Sequence, residues 1–166
     1  AQESTLQCDR EMRKTFEAIQ AWRRLHNGRY PGRLVDLKSS ALVASDAAIC
    51  PNLRSEFASA DAFHNMMSSR KPGGDPGGTY EYEMSDKVDK WEFDKPWLPS
   101  DTPAYTRQDL KAVLLRRQYY EQVPILRCSS HRAAAPSEFT KNEQPFRNLT
   151  VEAKVYWSGK YWERLW

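Results

Sequence analysis

Long apolar runs are missing from this 166-residue chain: the purest, such as Ala112 to Leu115, are very short. A membrane-spanning helix needs roughly 20 such residues, so none is written here. The opening Ala1-Gln2-Glu3 carries no apolar stretch of the secretory-leader kind, an opening expected of a processed or trimmed chain. Cysteine is scarce. Three are too few for a disulfide-scaffold miniprotein, but they leave room for one bridge and one free thiol. Neither charge sign dominates, since 25 basic residues face 22 acidic ones for a net charge of +3. That balance argues against a nucleic-acid footprint, even with Arg10, Arg13, Arg23, Arg24 and Arg29 near one another in sequence. Walker A, G-x-G-x-x-G, G-x-S-x-G and H-E-x-x-H patterns are all absent. Gly73-Gly74 and Gly77-Gly78 lack the strand and helix that a phosphate loop requires.

What is present suits one soluble globular domain over 1–166, with 40% apolar and 28% charged residues. Leu6, Met12, Phe16, Ile19, Trp22 and Leu25 recur at mostly three- and four-residue intervals, which predicts a helical rod within 1–27 from about Ser4 to His26. Phe16, Ile19, Trp22 and Leu25 are its expected core contacts. Asp9, Arg10, Glu11, Arg13, Lys14, Glu17, Arg23 and Arg24 fit a solvated face, with Asn27-Gly28 as the stop. Tyr30-Pro31 predicts an extended step, and Leu34 and Leu37 a short helical turn against the rod. Residues 54–70 read as a weak amphipathic helix, and Lys71 to Gly78 as a loop. From Thr79 the period becomes two: Tyr80, Tyr82 and Met84 alternate with Glu81 and Glu83 in a half-buried strand. An aromatic-rich excursion over 86–104 precedes a second helix from Thr106, its N-cap, to Tyr120. Further strands are expected at Val123–Cys128, where Pro124 suits an edge or a strand start, and at Asn148–Trp157.

Several groupings carry chemistry. Cys50 and Cys128 form the disulfide candidate, a bridge that would tie mid-chain to sheet and contribute roughly 4 kcal/mol. Three reduced thiols are the alternative. Cys128-Ser-Ser-His131 has the C-x-x-H spacing of metal ligands, and Cys50 offers a third donor. With no C-x-x-C pair, a fourth ligand must come from Cys8, His26 or His64. Cys128 and His131 also suggest a nucleophile and its base. The acids Glu81, Glu83, Asp86, Asp89, Glu92 and Asp94 lack calcium-loop spacing and fit a solvated strand and loop. Aromatics at 91, 97, 156, 157, 161, 162 and 166 suit either a stacking platform for sugars or peptides, or filling of an irregular core. Asn148-Leu149-Thr150 is a glycosylation sequon, a common chance pattern.

The order of these elements resembles the type IV pilin and type II secretion pseudopilin superfamily, most closely the large pilin-like sets of planctomycete-type bacteria. The residues that carry the likeness are the rod, Asn27-Gly28-Arg29-Tyr30-Pro31 with Leu34 and Leu37, and Cys50-Pro51. Val123 to His131, Asn148 to Val151, Val155 to Gly159 and Trp162-Glu163 add to it. The resemblance implies an α+β roll in which the rod packs on a small antiparallel sheet. It implies a non-catalytic role in assembly or secretion among other pilin-like subunits or envelope secretion components. Export to the periplasm or cell surface follows, with membrane attachment only through an apolar N-terminal segment that this sequence does not contain. An oxidising compartment favours the Cys50–Cys128 bridge, leaving Cys8 as the odd thiol. Some pseudopilins hold calcium in C-terminal loops, but no ligands map onto this chain, and no other cofactor is implied. A different class, a secreted enzyme or ligand-binding domain using the aromatic-rich loops with Cys128 and His131, is the alternative.

Overall fold

A computed structural model describes residues 2–42, 50–54, 80–86, 106–116, 120–139 and 144–159. The fold is α+β: a long N-terminal helix lies on a four-stranded antiparallel sheet. Helix α1 spans Gln2–Leu25, 24 residues and about 36 Å of rod. Glu3 in its first turn and Arg23 and Arg24 in its last complement the helix dipole. It stops where Asn27 (φ 54°) and Gly28 (φ 79°) turn left-handed, and the Gly28 N–H donates to Arg23 O at 2.7 Å. Asn27 itself takes the first left-handed position that the sequence reading gave to glycine.

The rod's buried line is Thr5, Cys8, Met12, Thr15, Ala18 and Ile19, with Phe16 and Trp22 packed beside it. Ile19, Phe16 and Trp22 therefore sit as expected. Leu25 does not: it is 71% exposed, and Leu6 is 55% exposed. The true stripe is rotated from the purely apolar one, because Thr15 is buried at little cost once its hydroxyl donates to Glu11 O at 3.0 Å. Nor are the expected surface charges all solvated. Glu11 is buried, and half-buried Asp9 accepts a two-pronged bond from Arg147 at 3.0 and 2.8 Å.

Helix α2, Leu34–Ser39, is the short turn that Leu34 and Leu37 predict, and both leucines are buried. Helix α3, Pro51–Arg54, starts on a proline whose missing N–H costs nothing there. Helix α4, Arg107–Leu115, has Thr106 as N-cap: its hydroxyl accepts from Asp109 N, while the Asp109 carboxylate accepts from the Thr106 N–H. Strands β1 (Glu81–Tyr82), β2 (Pro124–Cys128), β3 (Phe146–Thr150) and β4 (Val155–Ser158) pair in that order, each antiparallel to the next. Pro124 opens β2, which is central, and a bulge at Ile125 shifts its register against β3. The single strand expected over 148–157 is instead a hairpin. Thr150 Oγ1 accepts from the N–H of Glu152 and of Lys154, and Ala153 (φ 59°) turns the chain.

Every residue of β2 is buried: α1 packs against β2 and β3, and the one charged residue, Arg127, is bonded to Asn148 and paired with Glu83. The core is built from Met12, Ile19, Leu34, Leu37, Tyr82, Ile125, Leu126 and Leu149. Among the described residues, Tyr156 and Trp157 of the aromatic set are half-buried on β4, and Trp22 packs against the core from α1. The predicted helix over 55–70, the loop at 71–78, the excursion at 87–104 with Trp91 and Trp97, and Tyr161, Trp162 and Trp166 lie outside the described residues.

Candidate metal centre

Four side chains from separate parts of the chain meet where α1 crosses the end of β2. Cys8 comes from the buried line of α1 and Cys50 from the residue before α3. Cys128 ends β2, and His131 follows in the turn that enters a short 3₁₀ segment at Arg132–Ala134. The reversal after β2 brings Cys128 and His131 back to one point, which a C-x-x-H spacing permits and an extended strand does not. The three thiol sulfurs and a His131 ring nitrogen all lie within 4.8 Å of one another. The cysteines have no exposed surface, and His131 is 3% exposed.

The ring of His131 is held from both sides. Nε2 lies 3.1 Å from Cys50 Sγ. Nδ1 lies 3.4 Å from Thr5 Oγ1 and 3.2 Å from Asn52 Nδ2, and that amide also donates to Ser130 O at 2.8 Å. Cys8 Sγ lies 3.8 Å from Tyr80 Oη, and burial pushes the Tyr80 phenol up, keeping it neutral. Hydrogen bonds from Cys128 and then Cys8 hold the Cys50 thiol well below its ordinary range, against the opposing effect of burial. Cys128, donating to Cys50, is pushed up to about 12. Cys8 is also pushed up, first by its hydrogen bond to Cys128 and then by that to Cys50. Within the trio, Cys50 is therefore the thiol most easily deprotonated.

The expected Cys50–Cys128 bridge is not formed: the two sulfurs are neighbours, but all three cysteines are free thiols. Cys8 is no bystander either, since it completes the quartet. His26 is not a ligand; it is exposed at the end of α1, stacked on Trp22 with ring centroids 3.8 Å apart. His64 lies outside the described residues. Nor do Cys128 and His131 present an open nucleophile–base pair, because both are buried and the imidazole nitrogen faces Cys50. Comparison with protein-family models, curated proteins and solved structures finds no match.

Two further groups were misplaced by sequence reasoning. Glu83 was expected in the solvated alternation of β1, yet it lies buried beyond the end of that two-residue strand. It pairs with Lys111 at 2.9 Å, Arg127 at 3.6 Å and Arg107 at 3.9 Å. These cations hold its carboxyl at about 2, although burial, the largest single influence, acts to raise it. Asn148 of the sequon is fully buried, accepting from Arg127 Nε at 2.9 Å and donating to Ser158 Oγ at 2.9 Å, so the folded chain offers no glycan acceptor there. Asn52 and Thr5, which flank the imidazole, had no sequence signal as neighbours of His131. The helical line 5–8–12–15–19 was the one available pointer that Cys8 faces inward.

Proposed function

We propose that this chain is a non-catalytic scaffold domain of the pilin-like kind, acting in assembly or secretion at the cell envelope. One observation carries the reading: the rod α1 is fastened lengthwise to the sheet by its inner line, while its outer side stays exposed. Three kinds of fastening support it. Cys8 enters the buried thiol cluster, Met12 and Ile19 enter the core, and Asp9 grips Arg147 on β3. Arg13 adds a bond to Ala153 O at 2.6 Å, in the hairpin between β3 and β4. A rod fixed in this way can transmit load or present a constant outer face to identical neighbours, which is what a subunit of an assembly requires. The Cys/His quartet fits the same role, because a fully buried group of side chains ties elements together and meets no substrate.

The test is photo-cross-linking in cells that produce the complete gene product, with a benzophenone amino acid placed at exposed Leu6 or Leu25. Adducts between copies of this chain, or with sibling subunits, recovered in the envelope fraction are expected. Monomer alone in the cytosolic fraction would overturn the proposal.

A further inference from the structure

We propose that Cys8, Cys50, Cys128 and His131 bind a single zinc ion as a closed Cys3His structural centre that locks α1 to the end of β2. The donor set comes first. Three thiolates and an imidazole are soft, nitrogen–sulfur ligands, suited to zinc and poorly matched to calcium or magnesium, which require oxygen. Size comes next. With zinc–sulfur bonds of about 2.3 Å, the edge of a tetrahedron is roughly 3.8 Å. Ligand atoms that all lie within 4.8 Å of one another, with Cys50 Sγ and His131 Nε2 at 3.1 Å, need shift by only about an ångström or less to reach it. An iron–sulfur cluster spreads its cysteines over two or more irons and does not fit a quartet this tight.

The surroundings favour a structural centre over a catalytic one. All four ligands are buried and all four tetrahedral positions are supplied by protein, so no position is left for water or substrate. The imidazole is already oriented. Nε2 points at Cys50 Sγ; with a metal on Nε2 the ring proton resides on Nδ1, where Thr5 Oγ1 at 3.4 Å accepts it, and the Asn52 amide, a donor 3.2 Å from Nδ1, turns away from the ring. Asn52 keeps its bond to Ser130 O and fixes the turn that carries the histidine. Binding is balanced in charge and protons. The three cysteines bind as thiolates, the protons they carry pass to solvent as the metal enters, and with a neutral imidazole the centre carries one net negative charge.

Such a centre accounts for burying three thiols and a histidine together where aliphatic packing would have served. It also joins parts of the chain that no local element connects. Cys50 and His131 stand 81 positions apart, and Cys8 lies on α1, away from both. The metal thereby converts the contact between rod and sheet into a covalent-like junction. This inference rests on the quartet alone and stands whether or not the chain assembles.

The experiment is metal and thiol analysis of the purified full chain, prepared reduced and without chelator. One zinc per chain and three thiols titrated in denaturant after chelation are expected. A single titratable thiol would mean a disulfide and overturn the proposal. So would stoichiometric iron with inorganic sulfide, or failure of the reduced chain to take up zinc. Cobalt(II) added to the metal-stripped chain should give, at one equivalent, the intense visible bands of a tetrahedral thiolate site. Because Cys8→Ser can simply unfold the protein, His131→Cys supplies the second arm. It should keep one equivalent of metal and shift the cobalt bands toward those of four sulfurs, whereas an unchanged spectrum would remove His131 from the ligand set.

Discussion

Replacing Glu83 with glutamine removes one negative charge and almost no volume from a site with three cations. Glu83 is 7% exposed, Lys111 3% and Arg127 5%, so the two closest cations have little water to fall back on. Leaving such buried charges without their counterion costs roughly 3–5 kcal/mol. An independent route gives a similar figure. The carboxyl titrates at about 2 in the fold, against 4.5 in the unfolded chain, and each unit of difference is worth about 1.4 kcal/mol. The pair of values corresponds to roughly 3 kcal/mol. Because the folded value is the depressed one, this stability is fully present above the unfolded value and is lost as pH falls toward 2. Urea denaturation of wild type and Glu83→Gln at matched pH should therefore show a gap of roughly 3 kcal/mol near neutrality, shrinking to about 1 kcal/mol near pH 3. Comparing both proteins at each pH cancels the titration of every other group. The double variant Glu83→Gln, Lys111→Met should lose less than the sum of its single changes, since it removes a stranded ammonium with the lost carboxylate. Equal stability of Glu83→Gln and wild type, or a gap that does not change with pH, would refute the argument.

Two other substitutions test how the rod is fastened. Ile19→Ala, at a site with no exposed surface, should cost about 2–5 kcal/mol in urea, whereas Leu25→Ala at the exposed end of α1 should change stability by less than about 0.5 kcal/mol. Asp9→Asn breaks the two-pronged bond to Arg147 and should cost roughly 1–2 kcal/mol by thermal or urea melting. Adding Arg147→Leu to that variant should recover part of the loss, because the orphaned guanidinium goes with it.

Much of the secondary structure follows from local rules that act over a few residues. The period of the rod, the stop at Asn27-Gly28, the turn at Leu34 and Leu37, and Thr106 as N-cap are all decided by backbone preference and near neighbours. Errors arose where a polar residue is buried because a distant partner satisfies it. Thr15 and Cys8 displaced Leu6 and Leu25 from the inner line of α1, since a hydroxyl bonded to its own helix and a thiol among thiols cost little to bury. Glu83 left the solvated alternation because Lys111 and Arg127, remote in sequence, converge on it. Asn148–Trp157 divided into two strands because Thr150 caps a tight hairpin that alternation alone does not reveal.

The same division applies to the chemistry. The sequence by itself determined the donors: three cysteines, a C-x-x-H spacing, and a cysteine on an amphipathic helix. It also set the near-balance of charge, 25 basic residues against 22 acidic ones. Which cysteines meet was decided only by the tertiary structure. The angle at which α1 crosses β2, and the place where α3 begins, carry Cys8 and Cys50 to the turn that holds His131. Spacing along a chain constrains ligands within one turn or loop, whereas contacts between elements depend on how their apolar faces pack. Here that packing turned an apparent bridge and a spare thiol into a four-membered site.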